Sequence, residues 1–270
     1  MFKTVFSQNT RDLIWQFVKT EFKLKYNNSV LGFVWVLVKP LVIFLILFLV
    51  MSRVFPNAGM QYYPLYLLLG TIISGHFNEA TMTGINALLN KQSLILKVNF
   101  PRYIVIISSM LLPLINFVIN LSIYFIIAII FFGRVPGLFS LLWFVLAYAI
   151  LFIFMFGFAL FTSIWHVKLR DIGSIWELCL QLIFWLTPVF YDLETIRNKA
   201  GNSFISSAIN FVVGEMNPVS VFLQISREAF MYDRITRPLL LFYWAIASIL
   251  FATAGYFFFK KNVKKIAENF

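Results

Sequence analysis

Cysteine and charge are both scarce in this sequence. Cys179 is the single cysteine among 270 residues, so neither an intrachain disulfide nor a cysteine-based metal cluster can form. Charged residues make up 12% of the chain, about half of the roughly 25% usual in a soluble domain. The two histidines, His76 and His166, are far apart in sequence, and no H-E-x-x-H pair occurs, so a metal site is not expected. No glycine precedes a lysine anywhere, which excludes the phosphate loop of an ATPase. If ATP drives this protein, another chain hydrolyses it, and any ATP and Mg belong to that partner.

What fills the chain instead is apolar. Hydrophobic residues account for 61% of it and aromatic residues for 19%, with a mean hydropathy of +0.86. A hydrocarbon core about 30 Å thick takes about 20 apolar helical residues to cross. Six runs qualify: Val30 to Met51, Tyr62 to Leu88, Tyr103 to Phe132, Leu138 to Trp165, Ile172 to Tyr191, and Leu239 to Phe259. The expected fold class is therefore an all-α membrane protein with six transmembrane helices. The second run is the most polar, carrying His76, Asn78 and Glu79 near its middle.

Basic loops stay cytoplasmic. Fourteen Lys and Arg fall on the side of the two termini and the loop after the second run, against seven on the other side. Both termini are thus expected in the cytoplasm. The net charge of +11 reads as topology, with some attraction to anionic lipid, and nucleic acid is not an expected partner. Met1 to Ser29 is polar and lacks a small-residue cleavage site, so the first run is read as an uncleaved anchor.

Residues 1–29 contain a helical pattern from Thr10 to Tyr26, with Ile14, Val18, Phe22 and Tyr26 on one face. That pattern suits an amphipathic helix lying in the membrane interface, or one packed on a partner. Between the fifth and sixth runs, residues 192–238 are too apolar for a solvated linker. Phe204 to Val213 and Val219 to Met231 read as two short amphipathic helices, separated by the breakers Gly214 to Pro218. Helices too short to span are re-entrant or interfacial. The whole chain, 1–270, reads as one transmembrane domain: interface helix 1–29, spans 30–191, outer helices 192–238, last span 239–259 and tail 260–270.

Ionisable groups at membrane depth usually face a cavity or a partner. His76 and Glu79 share a face of the second run; Glu177 and Gln181 share one on the fifth, which Trp185 extends. They line a hydrophilic conduit or bond neighbouring helices to each other. Lys39 stands before Pro40 in the first run, where it can also snorkel to the interface. Trp185, Phe190 and Tyr191 crowd the outer end of the fifth run, as an aromatic belt or as a surface on which sugars stack.

Taken together, five segments resemble one family: "NNSVLGFVWVLVKPL" (Asn27 to Leu41), "YLLLG" with "NEAT" (Tyr66 to Thr81), "LILKVNFPRY" (Leu94 to Tyr103), "LRDIGSIWELCLQLIFWLTPVFY" (Leu169 to Tyr191) and "NPVSVFLQISREAF" (Asn217 to Phe230). They are similar to the membrane subunits of ABC transporters that export bacterial surface polysaccharides, the permeases for O-antigen, teichoic acid and rhamnose-rich wall polysaccharide. The resemblance implies a homodimer in the bacterial inner membrane, two cytoplasmic ABC ATPase subunits and a polysaccharide linked to polyprenyl diphosphate as cargo. It further implies that the loop with Leu94, Lys97, Phe100, Pro101 and Arg102 is a coupling helix docking into the ATPase. In that loop Pro101 sets a rigid corner, Leu94, Ile95 and Leu96 offer apolar anchors, and the cations set register on an acidic rim. Many members carry Asn before the first-span proline where this chain has Lys39, a cation suited to the diphosphate of a lipid carrier. An exporter of another lipid or drug, an intramembrane enzyme acting on polyprenyl lipids, and a scaffold for a glycan synthase are the competing readings.

Overall fold

The structure is a computed structural model that describes residues 8–26, 30–54, 62–98, 100–193, 207–208 and 210–263. Those residues form helices and no strands. In chain order they are α1 (Gln8–Tyr26), a 3₁₀ turn (Gly32–Val34), α2 (Trp35–Val54), α3 (Tyr63–Asn90) and α4 (Gln92–Lys97). There follow α5 (Tyr103–Phe132), α6 (Leu138–Lys168), α7 (Ile172–Leu186), a π-helical turn (Asn210–Glu215), α8 (Pro218–Tyr232) and α9 (Pro238–Asn262).

Four segments are long and apolar enough to cross a membrane: Gly32–Val54, α5, α6 and α9. They coincide with the first, third, fourth and sixth expected spans. The fifth falls short. Thr187 and Pro188 end α7 after 15 residues, about 22 Å at 1.5 Å per residue. The second span, α3, has 28 residues and is long enough at about 42 Å, but its polar middle keeps it out of the four.

That polarity is tolerable because α3 is the axis of the bundle. Leu65 through Ser74 are all buried, and the helix packs against α2, α5, α6, α7 and α8. Small residues set the approach: a Cβ on Gly84 would lie 2.6 Å from the Cβ of Ala159 on α6. The pair α6 and α9 closes in the same way, since a Cβ on Gly157 would lie 2.8 Å from the Cα of Ala252, and one on Gly255 2.9 Å from the Gly157 carbonyl. Helices in lipid gain little from hydrophobic burial against each other, so such close backbone contact supplies much of their cohesion.

Beside the bundle, the expected apolar face of α1 is real but does not simply face lipid. Val18 and Tyr26 are buried, and α1 packs along α5 of the same chain. Trp15 and Leu24 remain exposed.

Of the two short helices expected in 192–238, the first lies partly outside the described residues, with Asn210–Glu215 as a π-helical turn. The second is α8. Asn217 caps it, its Oδ1 accepting from the amides of Val219 at 3.0 Å and Ser220 at 3.4 Å, with Pro218 in the first turn. The helix is mostly buried, seated at the end of the bundle opposite α4.

Candidate functional site

Three of the residues singled out in the sequence, Lys39, His76 and Glu79, come together around one cavity of about 450 Å³. The end of α1, the first half of α2 and the middles of α3 and α5 frame it. Lys25 and Tyr26 enter from α1, Trp35, Lys39 and Ile43 from α2, Thr71, Gly75, Asn78 and Glu79 from α3, and Asn116, Phe117 and Asn120 from α5.

A bonded network closes one wall. The Lys25 ammonium donates to Glu79 Oε1 at 2.5 Å, the Asn116 amide donates to the same oxygen at 2.7 Å, and the Tyr26 hydroxyl donates to Asn116 Oδ1 at 3.1 Å. Burial lowers the Lys25 pKa, but the charge and hydrogen bond of Glu79 outweigh it and the net shift is upward. Glu79 is thereby neutralised within the wall. His76 is buried, stacked on Phe117 with 4.4 Å between centroids and bonded through Nε2 to the Tyr148 hydroxyl at 3.0 Å.

The Thr71 hydroxyl donates to the Leu68 carbonyl at 2.8 Å. Among the described residues, the side chains of Lys39, Asn78 and Asn120 make no hydrogen bond or ion pair, and Lys39 is exposed at the rim.

Gly75 shapes the floor. Glycine inside a helix costs about 1 kcal/mol relative to alanine. Gly70, Gly84, Gly157 and Gly255 earn that cost through close packing, but a Cβ on Gly75 would meet nothing within 4 Å. Packing therefore does not require a glycine at this position, and the missing side chain leaves room in the cavity.

A second constellation surrounds α4. Half-buried Lys91, at the junction of α3 and α4, pairs with Glu21 of α1 at 2.6 Å, and its ammonium lies 4.4 Å from the centroid of the Phe17 ring. Desolvation holds its pKa below the usual lysine value despite Glu21. Ser109 of α5 also donates to Glu21, at 3.2 Å. Phe17 meets Phe100 edge-on with 5.8 Å between centroids, and Arg102 donates to the carbonyl of Val263 at the end of α9.

This redistributes the expected docking residues. Ile95 is buried in the bundle rather than offered outward, Leu94 and Phe100 are half-buried, and Arg102 is engaged within the chain. Leu96, Lys97, Val98 and Pro101 are the exposed ones. The apolar side chains facing outward on this turn are Leu96 and Val98, while Ile95 is buried and Leu94 half-buried.

The fifth-run residues do not join the cavity. Glu177, Gln181 and Trp185 are exposed along α7, whereas Phe190 is buried, its ring edge-on to Trp185 and Tyr191. Phe190 cannot stack on a sugar there, since neighbouring side chains already cover it. Tyr191 is half-buried and donates to the Leu186 carbonyl at 2.8 Å. Cys179 is half-exposed on the same helix.

Arg227 escaped the sequence reading. Buried on α8, it donates to the carbonyls of Pro188 at 2.5 Å, Val189 at 2.7 Å and Tyr66 at 2.9 Å, and it lies 3.2 Å from the centroid of the Tyr66 ring. One side chain thus ties α8 to the end of α7 and the start of α3.

Residues 12–231 match the ABC-2 type transporter family. The chain belongs to that family. The matched region contains the cavity, the α4 turn, α7 and nearly all of α8. Among curated proteins, the chain is 26% identical over 268 residues to the O-antigen export system permease protein RfbA of Myxococcus xanthus, covering 96% of this chain and 95% of that one. A protein of the same name from Klebsiella pneumoniae is 28% identical over 226 residues, covering 82% of this chain and 80% of its own length. A family of membrane permeases accounts for the four apolar spans together with a polar, tightly packed α3.

Proposed function

We propose that this chain is the membrane-spanning subunit of an ATP-driven exporter that moves polyprenyl-diphosphate-linked polysaccharide from the cytoplasmic to the outer face of the bacterial inner membrane. The observation that carries the reading is the end-to-end similarity, within the ABC-2 family, to permeases named for O-antigen export. In this reading α3 and α7 complete six crossings, α7 with the help of the segment 187–191, and α8 is re-entrant. Both termini lie in the cytoplasm, on the side richer in Lys and Arg.

ATP is bound and hydrolysed, with Mg, on two separate subunits. Their contact is the exposed edge of the α4 turn, with Leu96 and Val98 as anchors, Lys97 as the charge that sets register and Pro101 as the corner. Phe100 and Arg102 act one step inward, joining that turn to α1 and α9 so that a push on it moves the bundle. Two copies of the chain enclose the conduit. Glu177 and Gln181, exposed on an otherwise apolar α7, favour a wall facing water or a second copy over one facing lipid. Trp185 and Tyr191 stand at its outer mouth. The helices between Phe204 and Met231 act as the outward gate, and Arg227 makes α8 move together with the end of α7 and the start of α3.

Deleting the protein in its native cell tests this reading. Surface glycan is expected to fall while lipid-linked glycan accumulates on the cytoplasmic face. Unchanged surface glycan with altered resistance to a drug would move the cargo to another class.

A further inference from the structure

The cavity framed by α1, α2, α3 and α5 has the composition of a ligand site rather than of a packing defect. Its volume of about 450 Å³ falls in the roughly 300–1,000 Å³ range of small-molecule sites. A Cβ at position 75 would meet nothing within 4 Å, so packing does not call for the glycine that stands there.

The charge arrangement narrows the occupant. Glu79 is neutralised by Lys25 and Asn116, so the charge left over is the single cation Lys39. Two free amides, Asn78 and Asn120, line the same cavity and can donate to an oxyanion. The rest of the lining is mainly apolar, including Ile43, Ile72 and Phe117. One cation with amide donors recognises an anionic oxygen group, and an apolar remainder within a membrane bundle receives a hydrocarbon chain. The anionic oxygen group carried on hydrocarbon in a bilayer is a lipid phosphate.

We propose that this cavity holds the phosphate-bearing headgroup of a membrane lipid inside a single subunit, with Lys39 as the charge partner, Asn78 and Asn120 as donors and the gap at Gly75 as the seat. The chemistry is shared by a polyprenyl diphosphate carrier, for which the proposal rests on the exporter reading, and by a bulk anionic phospholipid, for which it does not.

Native mass spectrometry of the full-length protein, purified with any bound partner and held in phosphatidylcholine nanodiscs, tests it with three probes: farnesyl diphosphate, phosphatidylglycerol and inorganic diphosphate. One lipid per subunit is expected from one or both lipid probes, and the one that binds tighter names the source. Gly75→Leu, by occlusion, and Lys39→Gln, by loss of one charge-assisted hydrogen bond, should each weaken retention about tenfold or more. Gly75→Ala should retain it, and Lys23→Gln, at an exposed cation on α1, should leave it unchanged. Retention equal in wild type, Gly75→Leu and Lys39→Gln, retention of neither lipid, or binding of inorganic diphosphate alone would each overturn the proposal. Unchanged lipid retention in these variants while surface glycan is still exported would remove the cavity assignment and leave the exporter reading standing.

Discussion

Replacing Arg227 with Leu should unfasten α8 from the bundle. The guanidinium makes three hydrogen bonds to buried carbonyls, those of Pro188, Val189 and Tyr66, and charge-assisted bonds are worth about 1.5–3 kcal/mol each. Their gross loss is therefore about 5–9 kcal/mol. Leucine recovers part of it, because the cost of burying a charge, several kcal/mol, disappears with the guanidinium. A net destabilisation of about 2–4 kcal/mol remains, which corresponds to a fall in midpoint of about 5–15 °C for a domain of this size. Thermal unfolding of the detergent-solubilised protein, followed by fluorescence and size exclusion, reads the shift. Arg227→Lys should fall between the two, since a single ammonium reaches fewer of the three acceptors. A midpoint for Arg227→Leu within about 2 °C of wild type, with the fold intact, would show that the buried arginine contributes no net stability.

Four further outcomes are expected. Gly157→Leu should separate α6 from α9, because its first added carbon already lies 2.8 Å from Ala252; loss of the monodisperse peak on size exclusion checks it, and wild-type behaviour refutes the close-contact argument. Glu79→Gln should release the end of α1, seen as faster amide exchange over residues 19–26, since Lys25 loses its counter-charge. The same pair has a defined pH sense. Lys25 is raised above its ordinary 10.5 in the folded protein, so its contribution is fully present below that value and is lost as pH rises through the higher folded value; protection at the end of α1, taken relative to the intrinsic base-catalysed rate, should fall only above about pH 10.5. Leu96→Asp should abolish ATPase coupling without altering thermal stability, because Leu96 is exposed and contributes little to the bundle.

Much of the helical framework was legible because length and hydropathy are local properties. The boundaries of α5, Tyr103 and Phe132, follow from a charge-free, mainly apolar run between Arg102 and Gly133. The end of α7 was misjudged, since residues 187–191 are apolar enough to prolong the span while Thr187 and Pro188 stop the helix. Lys39, His76 and Glu79 stood out as ionisable residues in apolar runs, and they do share one cavity. Their partners were less visible. Tyr26 meets Asn116 across 90 residues and Lys25 meets Glu79 across 54, and no periodicity encodes which faces of distant helices meet. One signal was available: Asn116 and Asn120 lie one turn apart in a charge-free run, a polar stripe that membrane helices rarely carry without use. Arg227 is not distinguished in sequence from the other basic residues on the outer side, yet it is the buried fastener of α8.

The role as exporter subunit is tested most directly by purifying the protein gently from its native membrane and assaying what remains bound. A phosphate-loop protein at one copy per permease is expected, with ATPase activity that responds to lipid-linked glycan and loses that response in Leu96→Asp. An intact, monodisperse sample with no such partner, or a partner whose activity ignores both the glycan and the Leu96 substitution, would contradict it.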